Sequence, residues 1–404
     1  MMHPFLRTFA IIAVSLTASV ITADDTGKPK LPNGIVDVQP KHGRSVKLDD
    51  GTWMISYRET IADGLSFEMV PVPGGKITIG SPETEAGRRD DEGPQFEVEL
   101  DPYWIGATEV SWDEYSMYQA TYRQFRQQST KEQKGSIKSH VDAVTAPTPI
   151  YDEDYVKQFG GAAHPAVTMT QYGAMQYSKW LWLTTGNQYR LPTEVEWENS
   201  CRAGSSTAYS FGDDTEALSE YAQFHEAEDG DEMGPLPVGS KRPNAFGLHD
   251  MHGNVSEWVI DQYAADAYTQ LASRIQASRP VAIFGDEVYN HIIRGGGWMD
   301  SPELLRSAAR RASSLDLMAY DSDRPRSPHW FASDEALNIG FRVARSSRPE
   351  SDEVIVRFWN PNSSELTLDI EDRLSQGRGA IGIPEKRSAQ SPSANGNPAE
   401  DGSE

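Results

Sequence analysis

The 404 residues suffice for one large domain or two ordinary ones. With 60 acidic against 37 basic residues the net charge is −23, which excludes nucleic acid and anionic membrane surfaces as natural partners. One cysteine, Cys201, excludes an intrachain disulfide, and ten Trp with sixteen Tyr point to a core or groove of flat, amphipathic rings.

The chain opens on an export signal, residues 1–23. His3 and Arg7 make a short polar start, and Phe9 to Val20 is an apolar run too short to span a bilayer. Small residues place cleavage near Ala23, and no cysteine follows for a lipid anchor. No later stretch is long enough to cross a membrane, so a periplasmic or secreted protein with no membrane anchor is expected. The lack of disulfides suits a bacterial envelope.

Residues 24–64 read as a linker with a short extension, Pro/Gly-rich from Lys28 to Gly34 and carrying a strand at Trp53–Tyr57. Phe67–Val72 and Lys76–Ile79 flank Pro73-Gly74-Gly75 and predict a hairpin. Glu83–Gly93 is a loop, Phe96–Leu100 alternates with period two as a half-buried strand, and Tyr103–Ala107 extends or follows it. Ser111 with Glu114 forms a capping box; behind it Trp112, Tyr115, Tyr118 and Tyr122 recur at helical spacing as a core face. Residues 127–163 read as an insertion. Thr168 with Gln171 opens a second helix that Gly186 closes, and Thr193 with Glu196 opens a third that ends at Gly204. Cys201 falls at that helix's end, as a buried small hydrophobe rather than a nucleophile.

Asp213, Asp214, Asp229, Asp231 and Glu232 make residues 205–240 acidic and loop-rich. Next comes Gly247-Leu-His-Asp-Met-His-Gly-Asn-Val-Ser-Glu-Trp258. Asp250, Asn254 and Glu257 bring three oxygen-bearing side chains into eight residues, and the loop carbonyls add neutral oxygens. Calcium takes roughly six to eight oxygens at about 2.3–2.6 Å, so this loop reads either as a cation cage or as a tight turn with solvated acids. Its spacing is not that of an EF-hand. His249 and His252 stand as a weak transition-metal pair. Residues 262–290 and 315–335 read as further insertions. Val354–Trp359 and Leu366–Ile370 predict a hairpin within an extension at 347–374, and residues 375–404 are too polar to order.

The 247–258 loop resembles the signature of the formylglycine-generating-enzyme, or sulfatase-modifying-factor, family. Four more stretches fit in the family's order: Tyr189–Glu198, Arg294-Gly-Gly-Gly-Trp298, Arg306-Ser-Ala-Ala-Arg310 and Gly340-Phe-Arg342. The resemblance implies one domain over 65–346, an irregular α+β fold of C-type-lectin-like type with little regular secondary structure. It also implies a structural calcium on Asp250, Gly253, Val255 and Glu257. A second, looser calcium set falls on Gln223, Phe224, Asp229 and Asp231. It makes Arg306–Arg310 a strand, where local propensity alone favours a helix over Pro302–Ala312.

Active members of that family hold copper on two cysteines after the Gly-Gly-x-Trp turn and oxidise a substrate cysteine to formylglycine. Here the first position falls on Asp300 and the second within Glu303, Leu304 and Leu305. Carboxylates do not hold copper(I), so copper is not expected and no catalytic residue is assigned. The aromatic position within the calcium loop is Ser256. No His-Glu-x-x-His, Gly-x-Ser-x-Gly or P-loop motif is present, which disfavours protease, hydrolase and kinase readings. Trp298, Asp300, Glu303, Arg306, Arg310, His329, Trp330 and Arg342 are the groove candidates for a protein or peptide ligand, for instance a sulfatase. Arg306, Arg310, Arg311 and Arg342 could equally be paired internally with the many acids. The expected function is a calcium-stabilised accessory or binding module, a pseudoenzyme of its family. The alternative is a formylglycine-type oxidase, or another oxidation at a divergent site using Asp300 and Glu303.

Overall fold

The computed structural model describes residues 31–119, 161–225, 234–274, 280–314, 317, 334–361 and 363–375. The signal segment, most of the 127–163 insertion, and the candidates His329 and Trp330 lie outside them.

The architecture is α+β with four small sheets. Strands β1 (Ile35–Val36), β2 (Ser45–Lys47) and β3 (Trp53–Ile55) form an antiparallel sheet with β3 central. The expected strand at 53–57 is thus split, and its end begins β4 (Tyr57–Ala62), which pairs with β5 (Leu65–Val72). The expected hairpin at 67–79 does not form. Strand β6 (Gly75–Ile79) pairs instead with β7 (Phe96–Leu100), and β5 pairs with β8 (Tyr103–Gly106). Where the chain passes from one sheet to the other it runs close against the Leu100 backbone, and Gly74 makes room for that approach because a Cβ there would collide with the Leu100 carbonyl. Strand β7 buries Phe96, Val98 and Leu100 and exposes Glu97 and Glu99, as its alternation requires.

The capping box holds. Ser111 N donates to Glu114 Oε1 at 3.2 Å and Glu114 N to Ser111 Oγ at 3.4 Å, at the start of helix α1, described over residues 112–119. Tyr115 and Tyr118 are buried and meet Tyr177, Trp180 and Phe341 with ring centroids 5.5–6.1 Å apart. Helix α2 (Gln171–Thr185) contributes Tyr177 and Trp180. Its cap is Thr170, whose hydroxyl accepts from Gly173 N, and not Thr168, whose φ of 69° takes it out of a capping conformation. Gly186 closes the helix with φ 80°. Helix α3 (Glu194–Arg202) carries the Thr193–Glu196 capping box and ends on Ala203, one residue before the expected glycine.

After the short α4 (Leu218–Tyr221), β9 (Ser256–Gln262) is central to the second large sheet. Helix α5 (Ala267–Arg274) occupies part of the 262–290 insertion. Strand β10 (His291–Arg294) lies between β9 and β11 (Arg310–Ala312), and β12 (Ile339–Gly340) runs parallel to β9. Only the end of the expected 306–310 strand is β; Pro302–Leu305 is a 3₁₀ turn. Strand β13 (Ala344–Ser346) closes the first large sheet against β8.

The C-terminal extension is helical rather than a hairpin: α6 (Asp352–Ile355), a 3₁₀ turn (Val356–Phe358) and α7 (Ser364–Ser375). Ser351 and Ser363 accept from Val354 N and Leu366 N as N-caps. Apolar Trp359, which reads as a strand end, instead stacks on Trp182 at 4.8 Å and donates Nε1 to the Tyr189 carbonyl.

Candidate functional site

The loop before β9 is built from backbone that few residues adopt. Asp250 and Asn254 sit at φ 61° and 67°, in the left-handed region their short polar side chains tolerate. Gly253 has φ 155°, and a Cβ there would stand 2.5 Å from the Gln223 carbonyl. That carbonyl accepts from Asn254 N at 2.7 Å, so the expected second-calcium residue Gln223 is stitched to the first loop. Phe224 packs with Tyr209 and Leu305 in a small apolar cluster, and Asp229 and Asp231 lie outside the described residues.

Glu257 is wholly buried and fully engaged. Arg342 donates Nε to both of its oxygens (2.9 and 2.7 Å) and Nη2 to Oε1 (2.6 Å), and Trp197 donates Nε1 to Oε2 (2.8 Å). A carboxylate offers about four acceptor sites, so little of Glu257 is left for a metal. Arg342 also ties the carbonyls of Gly106 and His249 together.

Asp250 is different. Its Oδ2 accepts from Gly239 N at 2.6 Å, and Glu109 lies against it. Glu109 is 1% exposed; its Oε1 accepts from Asn254 Nδ2 at 3.1 Å, and no donor N–H or O–H of a neighbouring residue reaches its Oε2 among the described residues, so its contact with Asp250 is carboxyl to carboxyl. Burial, then the Asp250 carboxylate, pushes the Glu109 carboxyl well above the usual range. A buried carboxylate oxygen without a donor, beside a second carboxylate, is an arrangement that a hard cation relieves. Among the described residues no three His, Cys, Asp or Glu side chains converge as metal ligands. Any ion here would therefore draw on carbonyls as well, which calcium accepts. The sequence reading missed Glu109, because it stands far from the loop in the chain and belongs to no motif.

The two histidines of the loop do not share a metal. His249 Nδ1 faces the Lys241 carbonyl at 2.8 Å. His252 Nδ1 faces the Leu305 carbonyl at 2.8 Å, and its Nε2 accepts from Ser210 N at 3.0 Å, which fixes a neutral tautomer; burial lowers its pKa to about 4.

Three groove candidates are not at a surface at all. Arg306, Arg310 and Arg342 are buried. Arg306 is held by Glu92 and Glu85, and Arg310 by Glu194 at 2.7 and 2.8 Å. Arg294 adds Glu198, and Arg190 grips Glu196 with two 2.7 Å bonds. Internal pairing thus accounts for these cations, and they cannot receive a ligand.

Asp300, at the position of the resemblance's first cysteine, is 8% exposed and tightly held. Its Oδ2 accepts from Gly297 N (2.9 Å) and Asn338 Nδ2 (2.8 Å), and its Oδ1 from Arg311 Nη1 (3.1 Å). Arg311 also reaches Ser256 Oγ at 3.1 Å. Around this cluster the surface is open: Met299 is 53% exposed, Trp298 half-buried, Glu303 exposed and the Arg311 side chain 35% exposed. Leu305 is buried and Leu304 half-buried. Cys201 is buried in the second core, where burial pushes its thiol up to about 12, so it is no nucleophile.

The sulfatase-modifying factor enzyme 1-like domain family matches the chain over residues 62–347. The serine/threonine-protein kinase pkn1 of Chlamydia caviae is 31% identical over 251 residues, 62% of this chain and 36% of the kinase. The formylglycine-generating enzyme of Mycobacterium tuberculosis is 32% identical over 167 residues, 38% of this chain and 54% of the enzyme. The solved structure of PvdO from Pseudomonas aeruginosa superposes with a TM-score of 0.51 at 29% identity, covering 72% of this chain and 98% of PvdO. The chain therefore spans about a third of the kinase's length and about half of the mycobacterial enzyme's.

Proposed function

Because the chain belongs to the sulfatase-modifying factor family, we propose that it is an exported, calcium-stabilised member that binds a protein or peptide and does not oxidise thiols with copper. One observation carries this reading. At the first cysteine position stands Asp300, and both its oxygens are committed to Gly297, Asn338 and Arg311. A carboxylate so engaged is a hard, neutralised group that offers copper(I) nothing. The one thiol, Cys201, is locked in a core.

Calcium would be held by Asp250 with the carbonyls of Gly253 and Val255. It would supply positive charge inside a loop whose acids are buried, and so pin the loop to its neighbours. The ligand would meet the open surface at Trp298, Met299, Glu303 and Arg311, on the rigid platform that the Asp300 cluster makes. A sulfatase segment is one such ligand. Export follows from the apolar run at Phe9–Val20.

The relatives named as formylglycine-generating enzymes favour the competing reading, an oxidase with a divergent site. The discriminating experiment incubates the protein with copper, dioxygen and a Cys-x-Pro-x-Arg peptide and follows peptide mass. Unchanged peptide is expected. Conversion of the thiol to an aldehyde would overturn the proposal.

A further inference from the structure

Asp250 needs an acidic partner if its loop is to hold a divalent cation, and Glu257 is poorly placed to be that partner. Three donor groups already use the Glu257 oxygens, and two of them belong to the Arg342 guanidinium. A metal there would stand beside a buried positive charge. Glu109 has the opposite situation. It is as buried as the loop itself, no donor N–H or O–H of a neighbouring residue reaches its Oε2 among the described residues, and its carboxyl lies within hydrogen-bonding reach of Asp250. Its other oxygen is aimed by Asn254, so the loop itself sets the orientation of the carboxyl.

The charges acting on Glu109 sharpen the point. Asp250 and Glu257 act on it as neighbouring anions, and Arg342 as the neighbouring cation. A side-chain hydrogen bond also joins the Glu109 and Asp250 carboxyls, so the pair meets either through a shared proton or through a cation. A calcium ion is the alternative to that proton, since hard oxygen ligands suit it.

We propose that Glu109 is a ligand of the loop's calcium ion and takes the place that the loop's spacing assigns to Glu257. The site then joins the segment after β8 to the loop before β9, so the ion staples two distant parts of the chain. This rests on the calcium reading above, and the test separates the two. Chelated protein is titrated with calcium by calorimetry, with magnesium as control, and melted with and without calcium, for the wild type, Asp250→Asn, Glu109→Gln and Glu109→Asp. Calcium should raise the Tm of the wild type and leave Asp250→Asn unmoved. Glu109→Gln should weaken calcium at least tenfold, yet melt no lower than the wild type when calcium is absent, because one buried repulsion is gone. A merely structural Glu109 would lower Tm under both conditions. If Glu109→Gln does not fold, Glu109→Asp retracts the oxygens by one methylene and should itself lose affinity. Wild-type affinity in the Glu109 variants would overturn Glu109 as a ligand and leave the loop's calcium standing, the pair then being held by a proton. A wild type that binds no calcium would overturn both.

Discussion

Two buried charge clusters share Glu257 as a neighbour, and they are built to different rules. Around α3 and β10, each carboxylate meets a guanidinium: Glu194 with Arg310, Glu198 with Arg294 and Arg202, Glu196 with Arg190, Glu257 with Arg342. Around Asp250 and Glu109 the carboxylates meet each other. In the first arrangement opposite charges are paired, and the pairs tie distant segments of the scaffold together. The second brings like charges together and needs either a shared proton or a cation. A buried charge is informative about function mainly where its partner is missing.

The largest expected effect comes from breaking the paired cluster. Glu257→Gln leaves the Arg342 guanidinium buried without a counter-charge, and should cost about 3–5 kcal/mol by urea denaturation whether or not calcium is present. An effect seen only with calcium would move Glu257 into the like-charged cluster.

A second test uses Asp261, which sits beside Glu194 and accepts from Glu194 N and Ile283 N. Burial, then the Glu194 charge, pushes its pKa up to about 8. The folded state binds a proton that the unfolded chain, with an Asp pKa near 3.9, releases. The stability it contributes is present below about pH 4 and is lost as pH rises through about 8. Asp261→Asn should remove a decline on the order of a few kcal/mol between pH 5 and 8. A decline that survives in the variant would show that the paired cluster balances Asp261 too.

His291 runs the other way. Burial lowers its pKa to about 4, so the folded state refuses a proton that the unfolded chain takes up near pH 6.5. Its contribution is present above about pH 6.5 and falls away towards pH 4, by up to about 3 kcal/mol. Replacing it with Gln should flatten that acid limb in urea midpoints; an unaltered limb would show that His291 is not the group that titrates there.

The smallest effect belongs to Cys201. Buried and pushed up to about 12, its thiol should resist alkylation in the native protein and react only on unfolding. Rapid native labelling, read by mass, would place it in reach of solvent and reopen thiol chemistry.

Much of this was readable in the sequence, where the signal was local. The capping boxes at Ser111 and Thr193, the alternation of β7 and the αL close at Gly186 each depend on a few adjacent residues. The tight 247–258 loop declared itself through its glycines and polar residues. Non-local choices stayed hidden. Pairing of β6 with β7 rather than β5 joins segments apart in the chain, and the close backbone approach at Gly74 that accompanies it leaves no local signal. The C-terminal helices reveal themselves only through the Ser351 and Ser363 caps, which a period-two reading of Val354–Trp359 overrides. Arg306, Arg310 and Arg342 look like a basic groove in one dimension because their acidic partners come from other parts of the chain. Glu109 was invisible for the same reason.

Metal content is the most direct test of the whole account. Purified protein should carry calcium and no copper by inductively coupled plasma mass spectrometry, and Asp250→Asn should lower the calcium. Stoichiometric copper, or protein that stays calcium-free when calcium is supplied, would contradict it.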